Sequence, residues 1–161
     1  MDEPKIREIT DEKIGLSKAE VYCAYQERSQ QEVRDKLYEW GLYPQQVENI
    51  ISKLIEGNYL NEERFAKEYA RGKFNQKSWG KVKIKHGLKL KRVPDKLIKK
   101  ALETIDKSDY YSALENLLTK KAATTHEPNY LKRRYKLQQY AIGRGFEIDL
   151  ILEVMKEMET K

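Results

Sequence analysis

Residues 33–54, VRDKLYEWGLYPQQVENIISKL, carry apolar side chains at Val33, Leu37, Leu42, Val47, Ile50, Ile51 and Leu54, and the same seven slots return twice further along the chain. Fifty-one residues on, IKHGLKLKRVPDKLIKKALETI (84–105) fills them with Ile84, Leu88, Val93, Ile98, Ala101, Leu102 and Ile105. At a shift of 104, LQQYAIGRGFEIDLILEVMKEM (137–158) supplies Leu137, Ala141, Phe146, Ile151, Val154, Met155 and Met158. Every slot stays apolar, and none of the 22-residue windows needs a gap. The steps of three and four residues are those of helix faces turned toward a core. A repeat longer than 50 residues exceeds what two helices need, so each unit is predicted to hold three that bury one shared seam against its neighbours. Gly41 and Gly145 share a slot just after the first helix of the pair, where a left-handed glycine releases the chain; Arg92 holds it in the middle copy, which weakens that stop, so Val93-Pro94 is expected to end the helix there.

The flanking segments complete the units. Residues 1–16 mix acids and bases around Pro4 without a helical stripe and are read as a flexible arm. Ser17 with Glu20 forms a capping box that opens a helix toward Arg28, and Ser29 with Glu32 repeats the device. Pro44 suits the first turn of a helix that closes at Gly57. Asn61 caps a helix through Phe65, Ala66, Tyr69 and Ala70 that Gly72 and the polar run to Ser78 end. Trp79 to Lys91 forms the next helix, and Pro94 starts the one after. In the last unit Ala113, Leu114, Leu117 and Leu118 mark a helix, followed by a loop over Thr124 to Pro128, a helix to Gly143 and another from Ile148. No stretch alternates as a strand does. The expected fold is all-α, an elongated array of three tandem three-helix repeats at 17–57, 58–107 and 108–161 behind the arm at 1–16.

Composition agrees with a narrow molecule. Only 39% of the 161 residues are apolar and 36% are charged, much surface for little core, while eleven tyrosines and the strong periodicity argue against disorder. The single Cys23 excludes an internal disulfide, and the start of the chain shows no signal-peptide pattern, so a reduced cytoplasmic setting is expected. The longest apolar run, Val21 to Tyr25, is far short of the ~20 residues that a membrane helix needs.

Charge is unevenly spread. The net charge is +6, yet Lys77 to Lys100 alone holds ten Lys or Arg and one acid, Asp95. Such a cluster draws polyanions or an acidic protein groove, or else is a solvated helix face. Catalysis and metal binding find no constellation: His86, His126 and Cys23 lie in different units without ligand spacing, and the Glu62-Glu63 and Glu157-Glu159 pairs point in different directions on helices. Gly143-Arg144-Gly145 follows a helix and reads as its termination, not as a phosphate loop. No cofactor is implied.

The segment Gly57-Asn58-Tyr59-Leu60-Asn61-Glu62-Glu63-Arg64-Phe65-Ala66, followed by Arg71 and by Lys77-Ser78-Trp79-Gly80 ahead of Lys83-Ile84, resembles the middle repeat of the RecX family, bacterial regulators of the RecA recombinase. Ser29-Gln30-Gln31-Glu32-Val33-Arg34 is similar to the family's first-repeat opening, and Arg144-Gly145-Phe146 to a turn of its last repeat. Three positions depart from the family's habit: Asn61 stands where an acid is usual, and Ser78 and Arg92 stand where glycine is usual. The resemblance implies a modulator without chemistry of its own that lies along the groove of the RecA filament and damps ATP hydrolysis, strand exchange and filament-stimulated repressor cleavage.

On that reading the partner-binding face is expected to comprise Lys81, Lys85, Lys89, Lys96 and Lys100, with Arg71, Lys77 and Trp79 beside them, and Lys132 and Arg133 extending it. Trp79 could stack on a base or an arginine, or plug the entry of its helix. Lys132, Arg133, Arg134 and Lys136 form a second basic cluster that either continues the face or serves solubility. The protein is expected to be a monomer, to meet DNA within the filament or weakly alone, and to avoid membranes. The competing function is a sequence-independent DNA-binding protein using the helix from Trp79 to Lys91, whose polar side chains are lysines apart from His86 and so address phosphate. A helical adaptor for another acidic partner is the third reading.

Overall fold

The structure, a computed structural model, describes residues 11–160. Among them are nine α-helices and no strand: α1 (Glu12–Tyr25), α2 (Gln30–Glu39), α3 (Pro44–Glu56), α4 (Glu62–Lys77), α5 (Lys81–Leu90), α6 (Asp95–Glu103), α7 (Lys107–Thr124), α8 (Tyr130–Gly143) and α9 (Ile148–Glu159). They pack in consecutive threes, α1 to α3, α4 to α6 and α7 to α9. The surface is 10653 Å², well above the roughly 8400 Å² that a compact monomer of this mass exposes.

The repeated slots are the core. All but two of the 21 side chains in them are buried, and Leu102 and Met158 are partly buried against the same apolar cluster. The turn between the last two helices of each unit is the same Schellman motif three times. Gly41 (φ 96°), Arg92 (φ 58°) and Gly145 (φ 95°) take the left-handed position. The following amides, of Leu42, Val93 and Phe146, donate back to the carbonyls of Leu37, Leu88 and Ala141 at 3.2, 3.2 and 3.1 Å. Arg92 therefore keeps the turn without the residue that suits it. A side chain in this region costs about 1 kcal/mol, so Arg92→Gly is expected to stabilise the protein by roughly 0.5–1 kcal/mol, read as a higher urea midpoint at constant slope.

Several expected boundaries shift, each for a local reason. The first helix starts at Glu12, where the Asp11 carboxylate accepts from the Lys13 amide at 2.7 Å, so Ser17 lies within the helix and does not cap it. Residues 12–16 of the expected arm are thus helical, and residues 1–10 lie outside those described. Helix α1 buries Gly15, Ala19 and Cys23, which gives it an inward face of small residues: a Cβ on Gly15 would stand 2.8 Å from Leu42 Cδ1. Helix α4 continues through Gly72 to Lys77 and stops at Ser78, itself left-handed at φ 54°. Helix α5 begins at Lys81 behind the N-cap Gly80, leaving Trp79 outside it. Helix α3 keeps its expected close at Gly57, its C-cap, and the residue after it, Asn58, is left-handed (φ 62°).

The units do not share one seam. The first has its own core of Val33, Leu37, Val47, Ile50 and Leu54 with Ala19 and Cys23. The second and third share a single core, in which the Tyr110 ring lies 5.8 Å from that of Phe74 and 5.1 Å from that of Phe146. Main chains also meet there: the Gly80 amide donates to the Arg144 carbonyl at 2.8 Å and the Val82 amide to the Gly145 carbonyl at 2.9 Å. The joint between first and second units carries ion pairs, Arg64 with Glu27 at 2.5 Å and Lys91 with Glu32 at 2.7 Å. Arg64 also donates to the Asn58 carbonyl and side chain, at 3.1 Å each, and so clamps the connection between the units.

Candidate functional site

Helices α5 and α6 both pack on α4 and on each other, with Ile84, Leu88, Ile98 and Ala101 buried in the core. With those four residues fixed inward, a step of four places Lys81, Lys85 and Lys89 along one edge of α5, and the same step aligns Lys96 with Lys100 on α6. Lys85, Lys96, Arg71 and Lys77 are exposed and have no ion pair among the described residues. Lys89 lies 3.9 Å from Asp95, and Lys100 lies 3.7 Å from Glu63, both at half-exposed positions where such pairs are weak. The Lys67 and Lys100 ammonium groups hold the Glu63 carboxyl below its ordinary value. The lysine rows of α5 and of α6 are therefore each only lightly neutralised by neighbouring carboxylates.

Lys81 is partly withdrawn from that edge. Its ammonium sits 4.8 Å over the Tyr110 ring, and its amide donates to the Tyr110 hydroxyl at 2.9 Å. That hydroxyl in turn donates to the Glu147 carboxylate. Burial, and then the Glu147 carboxylate, push the Tyr110 phenol far above its usual range, so it stays protonated. This relay ties the start of α5 to α7 and to the N-cap of α9. Tyr110→Phe leaves both the Lys81 amide and the carboxylate short of a partner and is expected to cost about 2 kcal/mol in denaturant unfolding.

Trp79 is half-buried against the shared core, with Lys73 Nζ 4.9 Å and Lys83 Nζ 4.7 Å from its ring centroid. It thus plugs the entry of α5 and also carries cations on its ring, which the spacing of basic residues did not single out. Lys73 went unnoticed because α4 was expected to stop at Gly72. Trp79 itself was the available signal, an indole six residues from one lysine and four from another.

Lys132 and Arg133 stand apart from this edge, on α8 of the third unit. Lys132 is exposed, whereas Arg133 donates to the Ala122 carbonyl at 2.9 Å and so closes the end of α7. Arg134 pairs with Glu159 and Lys136 with Glu127, each at 3.0 Å. The other sequence candidates are structural or solvated. Cys23 is buried and burial pushes its thiol up to about 11, so it is unreactive at neutral pH. His86 and His126 are exposed, and no group of metal-ligating side chains occurs among the described residues. No described helix is long and apolar enough to cross a membrane.

Comparison with known proteins matches each unit separately. Residues 16–54, 61–102 and 108–155 match the family models of the first, second and third three-helix domains of RecX. Regulatory protein RecX of Prosthecochloris aestuarii is 29% identical over 94% of this chain and 97% of the relative. That of Clostridium acetobutylicum is 31% identical over 81% of this chain and 62% of its own length, and that of Bacillus mycoides 27% identical over 87% and 52%. The chain thus spans about half to three fifths of these two longer relatives. The crystal structure of RecX from Lactobacillus salivarius superposes with a TM-score of 0.86 at 27% identity, covering 93% of this chain and 97% of that one.

Proposed function

Because the chain belongs to the RecX family of regulatory proteins, we propose that it restrains the RecA recombinase by lying along the groove of the RecA–DNA filament and damping ATP hydrolysis and strand exchange. It acts there as a cytoplasmic monomer without catalytic chemistry. The observation that supports this reading best is the pair of lightly neutralised lysine rows on the middle unit of a slender array, Lys85 and Lys89 on α5 and Lys96 and Lys100 on α6. A rod with a lateral cationic edge can follow a helical groove lined by carboxylates and DNA phosphates, and weak contacts repeated on neighbouring subunits sum to avidity when spacing matches. Direct readout of DNA by α5 suits the residues less well. Lysine recognises phosphate and not base edges, so binding to DNA alone would be weak, sequence-independent and steep in salt. The test is ATP turnover by RecA on single-stranded DNA. Turnover is expected to fall when this protein is far less abundant than RecA; unchanged turnover at equimolar protein and low salt contradicts the reading.

A further inference from the structure

Helix α8 presents two unlike sides. Leu137 and Ala141 face the core, and Arg133 and Arg134 are engaged with the Ala122 carbonyl and Glu159. The other side carries Leu131, Tyr135 and Ile142, which are 73%, 62% and 40% exposed. At helical periodicity these three fall within about 40° of one another and extend over roughly 16 Å of helix. Lys132 and Lys136 run beside them one step of four apart, Lys136 reaching Glu127 at 3.0 Å. No acidic residue occurs between Pro128 and Phe146, so the border of the stripe along α8 is cationic.

A lone exposed apolar side chain is ordinary. Three in line on one helix, with the core-facing positions already satisfied on the opposite side, have no use in this unit's own packing. Their spacing is that of the anchors with which a helix seats in a groove. Two of the three are branched aliphatics, which offer nucleobases no stacking surface, so a protein groove suits them better than a single strand does.

We propose that this side of α8 docks into an apolar groove with an acidic rim on a protein partner, Leu131, Tyr135 and Ile142 entering the groove and Lys132 and Lys136 meeting its rim. The inference rests on the regulatory reading, which makes that partner a subunit of the recombinase filament. It adds a second, apolar point of attachment on the third unit, distinct from the cationic edge of the middle unit. Central apolar and aromatic anchors set the dissociation rate of such contacts, whereas outlying charges mainly set encounter.

The experiment measures binding of terminally labelled protein to preassembled RecA filaments on single-stranded DNA, and to the same DNA bare, at low and at raised salt. Leu131→Ala/Tyr135→Ala alters exposed positions and is expected to keep the far-UV spectrum and melting of the parent. Filament affinity should fall at least tenfold at both salt concentrations, with affinity for bare DNA unchanged. Unaltered filament binding by the double variant, alongside normal binding by the parent, overturns the α8 proposal alone. A matching loss on bare DNA overturns it in favour of a nucleic-acid face. Failure of the parent protein to bind the filament at all overturns the regulatory reading and this inference with it.

Discussion

Gly80→Ala is expected to destabilise the protein by about 3 kcal/mol and to lower its melting temperature by roughly 6–12 °C. Gly80 has an ordinary backbone conformation, φ −76° and ψ 166°, that alanine adopts freely. The cost is therefore steric alone: a Cβ there would overlap the main chain of Gly145 and Phe146 across the joint between the second and third units. Main chain cannot step aside as a flexible side chain does, and moving it would stretch the bonds from Gly80 to Arg144 and from Val82 to Gly145. Gly72→Ala is the matched control. Gly72 sits inside α4, and a Cβ added there would meet nothing within 4 Å, so alanine should gain about 1 kcal/mol of helix propensity. Thermal melts of the two variants should move in opposite directions; a Gly80→Ala protein that melts like the parent would mean that the two backbones do not touch in solution.

Charge reversal at Lys85 and Lys89 is expected to raise, by at least tenfold, the protein concentration needed for half-suppression of RecA ATP hydrolysis. Both side chains are exposed, so the fold has little to lose. Reversal at Lys89 also brings a second carboxylate near Asp95, now 3.9 Å from the ammonium, which adds to the negative patch. The difference between variant and parent should shrink as salt rises, since exposed charges are screened beyond about 8–10 Å at physiological ionic strength. Lys53→Glu, on the exposed side of α3 in the first unit, should leave suppression nearly intact. Suppression that persists while affinity for single-stranded DNA collapses would reassign this edge to DNA.

The seven-slot pattern carried the fold because it records burial, and burial is what each window's helices share. The same pattern marked the turns at Gly41 and Gly145, whereas at Arg92 the stop was expected from Val93-Pro94 and the chain instead takes the same left-handed turn without glycine. Helix α1 escaped it, since the face buried there is Gly15, Ala19 and Cys23, while Ile14, Val21 and Tyr25 point to solvent. Gly72 misled for the opposite reason: an isolated glycine reads as a break, yet a helix tied down by Phe65, Ala66 and Ala70 runs through it. The contact of Gly80 with Gly145 was not legible, because two glycines 65 residues apart carry no periodicity.

Charge was legible as a total and not as a surface. The stripe of α5 could be drawn from spacing alone, but Lys81 turns onto Tyr110 and Arg133 onto the end of α7. Neither partner lies near in sequence. Long cationic side chains find whichever acceptor or ring the tertiary fold brings close, so only the positions of these groups, and not their commitments, follow from the sequence.

The most direct test is a three-dimensional reconstruction of RecA filaments on single-stranded DNA decorated with this protein. Continuous helical density lying in the filament groove, spanning neighbouring subunits with α5 and α6 turned toward its wall and the DNA, is the predicted result. Density confined to filament ends, or to bare DNA with empty grooves, would contradict the account.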